Sequence, residues 1–233
     1  MSGFQDKTAL VTGASRGIGR AVALTLASKG AHIIALARSR AALEDLDDEI
    51  MAAGGKATLI PMNLQRLDEV DQLGPSIYER FGKLDILIGN AGILGPLTPA
   101  HQIDPKEWEK VMTINFMANV RLIRTLDPLL RSAPHGRAVF TTSGAAQRFD
   151  AYRGPYTASK AALEALVKIY AAETRQTNMK VNLVNPGFVD TKLLSEAYPG
   201  GYQGETKTPE DVAGTYIDLC AEDCAHHGEV VTV

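Results

Sequence analysis

In the segment GPYTASKAALEAL, residues 154–166, a phenol and an ammonium stand four residues apart as Tyr156 and Lys160. On a helix that spacing puts both on one face, with roughly 5–6 Å between their Cβ atoms. A free tyrosine has a pKa near 10, so only about 0.1% is phenolate at neutral pH. A cation within about 4–6 Å lowers an acid's pKa by roughly 1–3 units. Lys160 is spaced to do this, which would make Tyr156 a general acid–base. By itself the pair is also what a solvated i,i+4 contact looks like. Ser143, thirteen residues upstream at the end of an apolar run, adds a hydroxyl that can hold a substrate oxygen beside Tyr156. A serine there also suits a plain turn. Asn115 falls inside a helical pattern where asparagine is a poor helix former, so it is either a satisfied packing residue or a working one.

A second group binds rather than reacts. TGASRGIG places Gly13, Gly17 and Gly19, with Ser15, Arg16 and Ile18 between them, where a strand pattern gives way to a helix. Such a turn lets backbone approach a phosphate, and the helix start adds free N–H donors and positive dipole. The G-x3-G-x-G spacing is neither the G-x-G-x-x-G fingerprint nor a P-loop. About twenty residues on, an NAD site carries an acid for the ribose 2′-hydroxyl. Here that neighbourhood reads ALARSR, with Arg38 and Arg40 and no acid. A guanidinium grips a 2′-phosphate through charge-assisted bonds, whereas an acid would repel it. The cofactor expected is therefore NADP(H), with Arg38 and Arg16 on the phosphate.

The elements that must position these residues follow from periodicity. Strand-length apolar runs fall at 7–12, 32–37, 57–62, 84–88, 137–142, 179–184 and 228–233, alternating with helical patterns near 17–29, 40–53, 67–81, 105–131, 155–176 and 209–221. Continuous rather than alternating hydrophobicity marks strands buried on both faces. Repeated βα units then predict an α/β fold, a Rossmann-like doubly wound parallel sheet of about seven strands in one domain spanning 1–233. Pro61 belongs at a sheet edge, where the 3-2-1-4-5-6 order puts the third strand. Six strand ends aim chemistry-bearing residues at one rim, where open α/β sheets bind ligands.

Bulk properties exclude other classes. A net charge of −3 without a basic cluster argues against nucleic acid. No 18-residue apolar run spans a membrane, and the N-terminus lacks a signal-peptide pattern. Two cysteines make no disulfide framework, which predicts a cytoplasmic protein. Cys220, Cys224, His226 and His227 fall outside the usual zinc spacings, so no metal is expected.

Taken together, these residues resemble the short-chain dehydrogenase/reductase family over nearly the whole chain. Thr12–Gly19, Asn90–Ala91–Gly92, Asn115, Ser143, Tyr156-x3-Lys160 and Pro186–Gly187 followed by Thr191 carry the resemblance. It implies metal-free hydride transfer between NADP(H) and a carbonyl or secondary alcohol. Tyr156 would donate the proton, Ser143 hold the carbonyl oxygen, Lys160 bind ribose and acidify Tyr156, and Asn115 place a water beside Lys160. Asn63 and Leu64 would flank adenine. Asn90, Ala91 and Gly92 would line the adenosine side, and Pro186, Gly187, Val189 and Thr191 would hold the nicotinamide. Family members are commonly dimers or tetramers built on helices equivalent to 105–131 and 155–176, where Ala158, Ala161, Ala162 and Ala165 allow close approach. Relatives often continue past the last strand, which leaves the homodimer better supported than the homotetramer. The family often has Asn-Asn-Ala-Gly where Gly89–Asn90–Ala91–Gly92 stands here, so a sheet-bracing amide is missing. Residues 192–208, rich in Gly and Pro, are expected to form a substrate lid. Leu94, Phe149, Phe188, Leu193, Leu194, Tyr198 and Tyr202 are candidates for an apolar pocket wall, which fits a modest hydrophobic ketone or secondary alcohol as substrate. Trp108 reads as packing. The rival reading is a non-catalytic NADP(H)-binding sensor of the same fold, whose signature would be loss of Ser143, Tyr156 or Lys160.

Overall fold

The computed structural model describes residues 3–233; Met1 and Ser2, part of the signal-peptide reading, lie outside the described residues. The chain runs β1 (Thr8–Thr12), α1 (Gly17–Ser28), β2 (His32–Ala37), α2 (Arg40–Ala52), β3 (Lys56–Pro61), α3 (Leu67–Asp71), α4 (Leu73–Phe81), β4 (Ile86–Gly89), α5 (Pro105–Met112), α6 (Ala118–Ser132), β5 (Arg137–Thr141), α7 (Ala145–Arg148), α8 (Gly154–Thr174), β6 (Lys180–Asn185), α9 (Lys192–Ala197), α10 (Pro209–Cys220) and β7 (Val230–Thr232). All seven strands pair in parallel in the order β3-β2-β1-β4-β5-β6-β7. The expected doubly wound sheet is the fold.

Period-two alternation splits the core into two layers. Ala9, Val11, Ile33, Ala35, Ile86, Ile88 and Val139 face α1, α2 and α10. Leu10, Ile34, Leu36, Leu87, Ala138 and Phe140 face α4, α6 and α8. The central strands β1, β4 and β5 are buried throughout, which is why their sequences read as unbroken apolar runs. Pro61 ends β3 at the open edge, beside Ala37.

Two helical patterns are interrupted. The 67–81 segment breaks at Gln72 into α3 and α4. Pro75 has no N–H to give the Asp71 carbonyl, and the Thr125 hydroxyl donates to that oxygen at 2.9 Å instead. Gly74 allows this approach, since a Cβ there would overlap Thr125. The 105–131 segment becomes α5 and α6 joined by one wider π-type turn over Thr113–Met117. The 192–208 segment, expected to be a lid, begins with the short helix α9 and is otherwise mostly irregular, and its far end is tied down by a bridge between Val189 and Lys207. Among the described residues no helix is long and apolar enough to cross a membrane.

Candidate functional site

The carboxyl ends of the strands open onto a cleft of about 920 Å³. Its wall includes Gly13, Ser15, Arg16, Gly17, Ile18 and Arg38 at one end. Asn63, Leu64, Asn90, Ala91 and Gly92 line its middle, and Ser143, Tyr156, Lys160, Pro186, Gly187, Val189 and Thr191 its other end. Of the site residues read from the sequence, Gly19 and Asn115 stand just behind this wall.

The glycine loop is shaped for backbone approach. Gly13 and Gly17 have φ of +67° and +55°, a region that favours glycine. Gly19 serves packing: a Cβ there would overlap the Gly13 carbonyl and lie 2.5 Å from Asn90 Nδ2. Arg16 at the N-cap of α1 offers no side-chain cap, so the first N–H groups of this helix stay free for an anion. Arg16 and Arg38 are exposed, and neither forms an ion pair among the described residues. Arg40 is different: it leans on Glu44 at 3.6 Å along its own helix and is not part of the cleft wall.

Thr12 and Asn90 lock the floor. The Thr12 hydroxyl accepts from the Asn90 and Ala91 N–H groups at 2.9 and 3.1 Å and donates to the Ile88 carbonyl. Asn90 Nδ2 donates to the Thr12 carbonyl at 3.1 Å, and its Oδ1 accepts from Thr141 Oγ1 at 3.2 Å. The Tyr216 hydroxyl, buried under α10, lies 2.9 Å from Thr141 Oγ1. Because Thr141 spends its proton on Asn90, Tyr216 donates here. Gly89 is not a vacancy left by a missing amide. A Cβ at this position would overlap the Phe140 ring and lie 2.8 Å from Asn119 Oδ1.

At the reacting end, Tyr156 is buried, with the Ser143 side chain beside its hydroxyl. Burial pushes its phenol above the usual tyrosine range, opposed by the Ser143 bond and by the charges of Arg153 and Arg148. This corrects the expected electrostatics, in which Lys160 would lower it. The Lys160 ammonium is 5.9 Å from the Tyr156 ring centre and donates to the Thr141 carbonyl at 2.7 Å. Burial, partly offset by Glu164, lowers the Lys160 pKa to about 8. The two side chains share a face, and the hydrogen bond of the ammonium goes to the Thr141 carbonyl. Asn115 sits in the wider helical turn, a feature often found at functional sites. Its amide brackets Ile93 from both sides, accepting from the N–H and donating to the carbonyl, each at 2.9 Å, and also donates to Ser159 at 3.0 Å. Its own backbone carbonyl accepts from Asn119 Nδ2 at 2.8 Å.

Of the apolar wall candidates, Leu94, Phe188, Leu193, Leu194 and Tyr198 line the cleft. Tyr202 backs Phe188 in a stack with 4.3 Å between ring centres. Phe149 belongs to neither group: at φ +54° it is 72% exposed, turned from the cleft by its left-handed backbone. Trp108 packs on Gly154. His226 pairs with Glu229, and His227 joins the Ala171 carbonyl to the Val181 N–H, while Cys220 lies in the core. Sequence reading missed Thr141, Arg148 and Arg153. Arg148 ends the short helix α7 and Arg153 immediately precedes α8, with no motif around either, and only their nearness to Tyr156 in sequence pointed there.

Residues 7–200 match the family of short chain dehydrogenases, and the chain belongs to it. It is an oxidoreductase by that membership. It is similar to the uncharacterized oxidoreductase YciK of Escherichia coli (strain K12), 34% identical over 223 residues that cover 94% of this chain and 88% of that protein. A short chain dehydrogenase from Shigella flexneri 2a, solved in complex with NADP, superposes with a TM-score of 0.93 at 33% identity, covering 98% of this chain and 97% of that one. A second, from Escherichia coli CFT073 in complex with NADPH, superposes with a TM-score of 0.92 at 33% identity over the same shares.

Proposed function

We propose that the protein interconverts a carbonyl and its secondary alcohol with NADP(H), Tyr156 acting as general acid–base. The observation that carries this is the buried Tyr156–Ser143 pair, set at the end of a cleft whose other end holds a bare helix N-terminus and two unpaired guanidiniums. The cleft fits a nicotinamide dinucleotide. The left-handed glycines admit a pyrophosphate, Arg16 and Arg38 suit a 2′-phosphate, and the NADP and NADPH complexes of similar proteins support the same choice. When bound, the nicotinamide supplies or accepts the hydride. In reduction, Ser143 steadies the carbonyl oxygen and Tyr156 gives it a proton; in oxidation Tyr156 takes that proton back. Lys160 would serve the ribose hydroxyls, and Asn115 keeps the Ile93 turn in place behind Gly92. With Ser143, Tyr156 and Lys160 all at the cleft, a sensor that only binds is the weaker reading.

A homo-oligomer in the cytoplasm completes the proposal. Ala158 and Ala165 leave an exposed small-residue stripe on α8, and the two cysteines are unpaired. Light scattering reports the assembly. Tyr156→Phe tests the chemistry: nicotinamide absorbance with ketones or alcohols should show turnover down by about 10²-fold or more. NADPH should still bind. Retained turnover would falsify the assigned acid–base.

A further inference from the structure

Besides Arg16 and Arg38, two more arginines line the cleft. Arg148 closes α7 and Arg153 precedes α8, so the pair brackets the loop leading to Tyr156. Both line the cleft at the Ser143–Tyr156 end. Arg148 folds back over Gly144, next to Ser143: a Cβ on that glycine would lie 2.5 Å from its Nη1. The guanidiniums also stack on the wall, Arg148 at 5.3 Å from the Phe188 ring centre and Arg153 at 4.7 Å from that of Tyr198. Stacking fixes the plane of a guanidinium and leaves its N–H edges free.

One carboxylate answers both. Asp150 Oδ2 lies 3.4 Å from Arg148 Nε and 3.7 Å from Arg153 Nη1. Arg153 Nη2 also donates to the Ala197 carbonyl at 3.3 Å. Each guanidinium has five N–H donors, so the terminal amines of Arg148 keep donors to spare. The cleft's own carboxylates are Asp190 and Glu196, and Glu196 pairs with Lys192 at 3.9 Å. Both arginines act on the Tyr156 phenol and lower its pKa. Two arginines against Asp150 leave one positive charge over on this segment, separate from the Lys160 ammonium held by the Thr141 carbonyl, and one charge matches one carboxylate better than a phosphate.

We propose that the substrate carries one carboxylate, held by Arg148 and Arg153, so that the cleft takes oxo acids and the corresponding hydroxy acids. This replaces the neutral apolar ketone expected from the wall residues and rests on the hydride-transfer reading above. The aromatic wall then holds the carbon chain while the arginines hold its acidic group. The two-electron step is unchanged: hydride reaches the carbonyl carbon, the C=O π pair goes to oxygen, and that oxygen takes the Tyr156 proton.

Two measurements decide it. In the first, a panel of aliphatic and aromatic oxo acids is assayed with NADPH, each beside its methyl ester. The acids should show kcat/KM about ten- to a hundredfold higher, the range for bonds to a charged group. Arg148→Gln should pull the acid-to-ester ratio towards one. In the second, titration calorimetry of the NADP⁺-loaded enzyme compares benzoate with benzamide, and benzoate should bind at least about tenfold tighter. Arg148→Gln should erase that preference. Esters used as well as acids throughout the panel, a ratio untouched in Arg148→Gln, or no preference for benzoate up to millimolar concentration each overturn the carboxylate assignment. Turnover of neither acids nor esters, with benzoate still preferred, would instead sink the hydride-transfer reading and leave the anion site standing.

Discussion

Removing the buried ammonium, as in Lys160→Met, should change how stability depends on pH. An ordinary lysine titrates at 10.5; in the folded protein Lys160 is lowered to about 8 because burial disfavours its charged form. Below pH 8 both folded and unfolded chains hold the proton, and the folded chain bears the whole desolvation penalty. Between about 8 and 10.5 the unfolded chain still holds a proton that the folded chain has lost, so stability rises with pH. At about 1.4 kcal/mol per unit, the full shift amounts to about 3 kcal/mol, of which about 1 kcal/mol falls between pH 7 and 9. Lys160→Met removes this group and the bond to the Thr141 carbonyl; losing the bond moves absolute stability but not its pH slope. Other groups, such as Cys220, titrate in both proteins and cancel in the difference. Urea unfolding of the cofactor-free proteins at pH 7, 8 and 9 gives the comparison. Wild type minus variant should climb by about 1 kcal/mol. A level or falling difference would refute the claim that burial sets the charge on Lys160. The same shift implies that affinity for any ligand held by the ammonium declines as pH rises through about 8.

Arg38→Ala should weaken NADPH by about ten- to a hundredfold, the worth of charged hydrogen bonds to a phosphate. NADH should lose much less, as fluorescence titration of both cofactors would show; equal losses would remove the basis for NADP(H). Ser143→Ala deletes the hydrogen bond that holds the Tyr156 phenol down, so its pKa moves further up. Alcohol oxidation needs the ionised phenol, so its pH–rate profile should rise at higher pH than in wild type, and an unmoved profile would count against that bond. Gly89→Asn, which installs the residue expected there from the family resemblance, should destabilise by roughly 1–3 kcal/mol through overpacking against Phe140 and Asn119. Adding Phe140→Leu should cost less than the sum of the two single changes in urea unfolding, because the two sites are in contact.

Much of this molecule was legible in the sequence because its strands are buried on both faces. Runs such as TALVT and RAVFT leave no doubt about a parallel sheet, and the glycine loop and Pro61 place the first turn and one edge. What escaped reading were places where one element answers another far away. The break at Gln72 needs Thr125, 54 residues beyond Asp71, to take the Asp71 carbonyl that Pro75 abandons. The wide turn at Asn115 is likewise made with Ile93 and Ser159, so residues 105–131 alone read as one smooth helix.

Electrostatics at the reacting end was the least legible of all. A spacing of four fixes the Cβ atoms of Tyr156 and Lys160 but not where a long side chain ends. Lys160 has four flexible carbons, and in a buried site its ammonium goes to the acceptor within reach, the Thr141 carbonyl. That carbonyl is held at the end of β5, and the Thr141 side chain is fixed in turn by Asn90 and Tyr216. Lys160 is therefore positioned by the sheet, while the phenol is tuned by Ser143 and by two arginines, one at the end of α7 and one just before α8. Separating these duties has a consequence. Changes to the Arg148–Asp150–Arg153 loop can alter the acidity of Tyr156, and the charge of what binds beside it, while the Lys160 contact with the sheet stays as it is.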